Sequence, residues 1–312
     1  MRRAAPVLAL MLAATSMAAC SDEPTASATG DPAGDKLAQI MDRGTLVLST
    51  DLDYAPQSFA VADAERAAET ACDPDQLTGS EVSGFDAETG KAVAEALGVE
   101  ACFVAPQWVE ITGGSWSDRW DLSFGSGAID TVRMESLYVT QPYYALPAMA
   151  FVRARSGIER PEDLSGMRVG ACASCTHEDY LRHTLDVPGF DGEYLIVDPD
   201  VVTYTVEGPG LDAVHEGDLD GFLCSEQVGE RAIDDGLDLE KIDARLFTEL
   251  ATGWVDKGSD LDVETFVTRV DAIVRDLHAS GRLQQLSREF FGTDYASEAA
   301  GFDMRTIEQA FG

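Results

Sequence analysis

The cysteines carry the most reactive chemistry in this chain, six of them in 312 residues. Cys172-Ala-Ser-Cys175 has a spacing that serves a zinc half-site, a redox dithiol or a short structural bridge. Zinc needs a second pair of ligands, and the four histidines supply no convincing one. The bridge is therefore the preferred reading.

The N-terminus decides the compartment. Arg2 and Arg3 precede an apolar run, Ala4 to Ala14, which ends in Ser16-Met17-Ala18-Ala19-Cys20. A positive start, a short apolar middle and small residues before a cleavage point make a secretory signal, and the run is too short to span a bilayer. Cys20 resembles the acylated residue of a bacterial lipobox, with Met17 where Leu is usual. We expect residues 1–19 to be a signal peptide and Cys20 to carry lipid; an ordinary signal peptide cut nearby would leave Cys20 unmodified. Ser21 to Lys36 contains no large apolar residue and reads as a flexible tether. Export favours disulfides. With Cys20 set aside, Cys72, Cys102, Cys172, Cys175 and Cys224 remain, an odd number that leaves at least one without an internal partner. The expected pairs are Cys72 with Cys102 and Cys172 with Cys175, leaving Cys224.

The net charge is −34, and Lys occurs only at 36, 91, 241 and 257. Nothing here would neutralise phosphates, which excludes a nucleic-acid partner. Adaptation to high salt, where screening removes self-repulsion, and an acidic exported surface fit this charge equally.

The remaining length has room for two modest domains or one large one. Short β-rich runs at Thr45 to Thr50, Glu100 to Ala105, Trp120 to Gly125, Ala148 to Arg153, Met167 to Cys172, Tyr194 to Asp198 and Gly221 to Ser225 alternate with helical stretches. That alternation predicts an α/β fold with mostly parallel sheets. Phe85 to Leu97 reads as a helix stopped by Gly98, and the polar segment Asp63 to Ser83 as an inserted loop pinned by a bridge. Val263, Phe266, Val267, Val270, Ile273, Val274 and Leu277 form one apolar face at helical period; Gly281 ends that helix, and Leu283, Leu286 and Phe290 begin another.

In this order the motifs resemble those of the extracellular solute-binding proteins of family 3, the polar amino-acid receptors of ABC importers. Five passages carry the resemblance: Gly44 to Phe59; Gly84-Phe85-Asp86 with Ala92 to Gly98; Ser126 to Arg133 followed by Tyr138 to Tyr144; Leu164 to Gly170 with Cys175 to Leu181; and Glu216 to Ser225. The resemblance implies a two-lobe type II periplasmic-binding-protein fold, each lobe a mostly parallel sheet flanked by helices, joined by two hinge strands. Lobe 1 would comprise residues 37–147 and 253–312, and lobe 2 residues 148–252.

It also implies a clamp that closes on a small polar solute, an amino acid or related carboxylate, and delivers it to a permease. No cofactor is implied, and a monomer held to the membrane only by its lipid is expected. Arg133, by itself a surface helix arginine, becomes the carboxylate anchor, since a guanidinium forks onto a carboxylate. Backbone N–H groups around Ser126 and Ala128 would complete the anion site, and Thr176, with Ser174 and Cys175, would add donors from lobe 2. Tyr54 and Trp108 would wall the ligand, while Trp116 and Trp120 read as core or loop anchors. Many relatives hold the ligand's ammonium with an Asp where this chain has Ser225, and have Ser or Thr at the positions of Ala128 and Asp130. Asp130 either pairs with Arg133, caps the following helix, or faces the pocket; Asp51 and Glu226 are other acidic candidates. Two rivals remain: a dehydratase on the same fold, for which His177 is the candidate acid or base, and a sensor or accessory protein without transport.

Overall fold

The structure, a computed structural model, describes residues 34–302 together with Met1 and Met304. The signal segment, Cys20 and nearly all of the tether lie outside the described residues. No helix among those described is long and apolar enough to cross a membrane.

Two six-stranded sheets organise the chain. At the centre of the first, Thr45–Ser49 lies between the parallel strands Glu100–Val104 and Leu122–Ser123. At the centre of the second, Arg168–Cys172 lies between the parallel strands Asp200–Tyr204 and Gly221–Ser225. Helix Phe85–Leu97 lies between the first two parallel strands of one sheet, and helix Thr176–Leu181 between their counterparts in the other. Both parallel centres therefore have spatial order second, first, third in chain sequence. The margins are antiparallel: Leu77–Thr78, Trp254–Asp256 and Leu137–Val139 in the first sheet, Tyr144–Arg153, Leu239–Lys241 and Phe247–Ala251 in the second. Parallel pairing thus holds only at the centres.

Helices cover the faces. Against the first sheet, Phe85, Leu48, Phe266, Val270, Ile273 and Leu286 belong to one buried cluster. The second sheet has a cluster on each face, one around Tyr180 and Phe247 and one around Phe151 and Phe222. The long helix Glu264–Ala279 follows the expected apolar stripe, burying Phe266, Val270, Ile273 and Val274. Helix Phe85–Leu97 starts where Gly84 passes so close to the backbone of Gln57 that a Cβ would stand 2.3 Å from its carbonyl oxygen, and it ends at Gly98 in the left-handed conformation.

Two connections run between the sheets. Tyr144–Arg153 has nine of its ten residues buried, and it pairs antiparallel with Phe247–Ala251, Tyr144 opposite Ala251 and Ala148 opposite Phe247. Of these two segments, only the Ala148 to Arg153 part of the first was expected as strand.

One predicted strand is absent. Tyr194 to Asp198 is irregular, and the strand follows it at Asp200–Tyr204. Its apolar residues are needed in the core instead: Ile196 is fully buried, and Tyr194 packs on Tyr180 and Phe190. Pro199, without an N–H, separates it from the strand that joins the ladder.

The Asp63 to Ser83 insertion is mostly irregular, and Cys72 is bridged to Cys102 on the strand Glu100–Val104. The second bridge joins Cys172 to Cys175, and Cys224 is a buried free thiol. Because Phe266 is wholly buried at the centre of the first sheet's cluster, Phe266→Ala should cost about 3–5 kcal/mol. Urea unfolding should show this as a lower midpoint at unchanged slope.

Candidate functional site

Loops leaving the carboxyl ends of the parallel strands meet between the sheets. In open α/β sheets ligands bind at that edge, at the point where strand order reverses. From the first sheet come Asp51, Asp53 and Tyr54, then Trp108, then Gly125, Ser126, Ala128 and Arg133. From the second come the Cys172–His177 turn and Thr205–Glu207, and Glu249 joins them from the connecting strand. The cavity they enclose measures about 70 Å³, enough for several waters or one compact solute.

Direct bonds close the space. Tyr54 Oη lies 3.0 Å from Ser225 Oγ, Arg133 Nη2 donates to the Ser174 carbonyl at 3.3 Å, and Thr131 Oγ1 donates to Asp186 Oδ2 at 2.6 Å. Each joins a residue from the first sheet's side of the cavity to one from the second's.

Arg133 is 8% exposed and sits on the short helix Thr131–Ser136. Asp130 caps that helix through the Arg133 N–H at 2.8 Å and pairs with Arg133 Nε at 2.8 Å. It therefore takes both structural roles weighed for it, and it does not line the cavity. The guanidinium lies over the rings of Trp108 and Trp254, 5.5 and 5.4 Å from their centroids. Arg133 Nη1 donates to the Ala128 carbonyl at 3.2 Å. Of the five guanidinium N–H groups, these bonds use one on each nitrogen. One remains on each terminal nitrogen, the pair that grips a carboxylate end-on.

The Gly125–Ala128 turn is fixed from below. Ser126 Oγ donates to Asp86 Oδ2 at 2.6 Å, and Tyr143 Oη donates to Asp86 Oδ1 at 2.8 Å. Burial still lifts the Asp86 carboxyl to about 7. The Ser126 N–H, expected to serve an anion, is occupied by Tyr143 Oη at 3.0 Å. Gly127 is required here, because a Cβ would stand 2.1 Å from the Trp254 ring.

The opposite wall is acidic. Glu207 is raised to about 8 by burial, with the charges of Glu249 and Asp51 adding to it. Glu249 is raised to about 7 by burial, against the hydrogen bond from Thr176 Oγ1 and the charge of Arg133. Burial also raises Asp51. His177 is held down at about 3 by burial, and is neutral.

Seven expected site residues line the cavity: Tyr54, Trp108, Ser126, Ala128, Arg133, Cys175 and Thr176. Ser225 does not. It is fully buried behind Tyr54, and its hydroxyl shares a hydrogen bond with that phenol. Glu226 lies elsewhere, paired with Lys241 at 2.6 Å and bonded by Tyr295 Oη at 3.0 Å. Glu207 and Glu249 escaped the sequence reading. Glu207 opens a helix directly after a parallel strand, a placement that points to such edges, and Glu249 is a lone acid in the apolar run Phe247–Ala251.

A cleft between two sheets of the same strand order, linked by paired strands and lined from their carboxyl ends, defines a two-lobe binding protein of the type II periplasmic class. The chain belongs to the bacterial extracellular solute-binding proteins, family 3, whose sequence profile matches residues 46–293. It is 24% identical to the L-cystine-binding protein TcyJ of Escherichia coli over 261 residues, 83% of this chain and 86% of the relative. It is 25% identical to an L-arginine-binding protein of Pseudomonas aeruginosa over 219 residues, 69% and 81% of the two chains. Among solved structures it resembles the arginine-bound substrate-binding protein AbpA of Streptococcus pneumoniae, with TM-score 0.65, 20% identity and coverage of 85% and 99%. It also resembles the ancestral amino acid-binding protein AncCDT-1, a precursor of cyclohexadienyl dehydratase, with TM-score 0.67, 21% identity and coverage of 82% and 100%.

A carboxyl whose folded pKa is raised favours folding fully below its unfolded value, and that stability is lost as pH climbs to the folded value. The ligand-free protein should therefore lose stability between about pH 4.5 and 8, the ordinary and folded values of Glu207. Glu207→Gln should flatten that decline in a series of thermal melts across this range.

Proposed function

We propose that the protein captures a solute bearing one carboxylate and at least one cationic group, a basic amino acid or a close analogue, and delivers it to an ABC importer permease. One observation carries this reading: Asp51, Glu207 and Glu249 face the same small cavity as Arg133, whose charge Asp130 already balances. Carboxyls raised by burial are a cost in the empty site, and an arriving cation relieves it. The two free N–H groups of Arg133 would take the ligand carboxylate, with Trp108 and Tyr54 as walls. The acidic wall stands in for the ammonium-binding Asp that Ser225 replaces. That an arginine-binding protein and an arginine-bound structure are among the similar proteins supports the same class.

In this reading the lobes, residues 37–147 with 253–312 against 148–252, close about Tyr144–Arg153 and Phe247–Ala251. The ligand's higher affinity for the closed form drives closure. No bond is made or broken. A buried neutral His177 beside Glu249 is part of the binding wall, and solute recovered unchanged after prolonged incubation would check this. The chain acts as a monomer anchored through a lipid on Cys20.

Thermal shift tests the ligand class. A basic amino acid at a hundredfold its Kd should stabilise the protein by about 2.7 kcal/mol, while neutral and acidic amino acids should not. Arg133→Ala should abolish the shift, measured from that variant's own ligand-free melting temperature. Glu207→Gln should weaken binding of the basic ligand at least tenfold. A shift with simple amines that survives Arg133→Ala would refute the carboxylate half of the reading. A shift with acidic solutes alone would refute the cationic half.

A further inference from the structure

The Cys172–His177 turn places three soft ligand atoms on the cavity wall. Cys172 Sγ and Cys175 Sγ lie 3.9 and 3.7 Å from His177 Nδ1. Zinc holds sulfur at about 2.3 Å and nitrogen at about 2.0–2.1 Å, so on tetrahedral corners sulfur and nitrogen stand roughly 3.5 Å apart and two sulfurs roughly 3.8 Å. Both sulfur–nitrogen separations are already close to that figure. Only the bond between the sulfurs keeps the set from matching.

We infer that reduction of the Cys172–Cys175 bridge creates a metal site in which both thiolates and His177 Nδ1 bind one zinc or similarly thiophilic ion. The rest of the turn is prepared for it. His177 is 3% exposed and held on the cavity wall. Its other nitrogen, Nε2, is buried with no hydrogen-bond partner and faces Glu249 Oε2 at 3.9 Å. With Nδ1 on a metal, Nε2 carries the proton and donates toward that carboxylate, the arrangement that fixes a metal-bound imidazole. All three ligand residues line the cavity, which leaves the fourth corner to water.

The chemistry balances with a dithiol reductant. The two thiols of the reductant become its disulfide, and Cys172 and Cys175 each gain one electron and one proton. The metal ion then displaces those two protons. The bridges differ in access at one cysteine: Cys102, Cys175 and Cys72 are 0%, 6% and 7% exposed, whereas Cys172 is half-buried and lines the cavity. The cavity bridge is the one that meets a reductant first.

The experiment is a cobalt(II) and zinc(II) titration of the mature protein before and after mild reduction and removal of the reductant, with circular dichroism to follow the fold. The reduced protein should stay folded and take up one equivalent of cobalt with thiolate-to-cobalt charge-transfer absorption. The oxidised protein should show no such band. Cys172→Ser with Cys175→Ser should remove the band although Cys72 and Cys102 remain. His177→Ala should weaken binding at least a hundredfold, and Glu249→Gln by about 10–100-fold. The inference is overturned if the reduced protein unfolds, if it binds no more cobalt than the double serine variant, or if His177→Ala binds as tightly as the parent. The readout is metal uptake, so failure here leaves the solute-binding reading standing, and the reverse also holds.

Discussion

Burial of charged side chains around one small cavity governs how its surroundings are arranged. A guanidinium buried there needs partners that replace its water. Arg133 is met by Asp130, by two carbonyl oxygens and by two indole faces. Carboxyls there cannot all remain ionised, and Glu207 and Glu249 are raised accordingly. The cleft therefore holds its cation fixed in place beside acids that burial has raised.

The fold serves that arrangement through repetition. Each sheet brings its first and third parallel strands side by side, so each sends loops from the reversal point toward the same space. The connecting strands add a residue of their own, because Glu249 lies on Phe247–Ala251, paired opposite Leu146 on the other connection. A ligand that touches Glu249 touches the structure about which the lobes would turn. Asp86, directly behind the Ser126 turn, anchors it through hydroxyls rather than a countercharge.

Elements whose side-chain period and stop signals agree were legible in the sequence. The stripe through Phe266 and Val270 and the glycine at 98 placed their helices correctly, and the order of short strands gave the α/β class. Tyr194 to Asp198 misled because an apolar run serves a core as well as a ladder, and composition does not tell which. Of the site, Arg133, Trp108 and Tyr54 were reached through their places in motifs. Ser225 was expected on the cavity wall and stands behind it, since one residue at a strand end separates the two. Glu207 and Glu249 were missed because this chain is acidic almost everywhere. Among so many carboxylates, the few that are buried carry no local mark, and only the folded structure separates them from solvated neighbours.

The two bridges are also ordered along the chain. Cys72 and Cys102 precede both cysteines of the second pair and close before Cys172 in chain order. The pairs are consecutive rather than interleaved, and the fifth cysteine of the described residues, Cys224, comes last and ends buried inside a strand. Pairing the described cysteines in their order along the chain therefore yields both native bridges, and neither loop encloses the other.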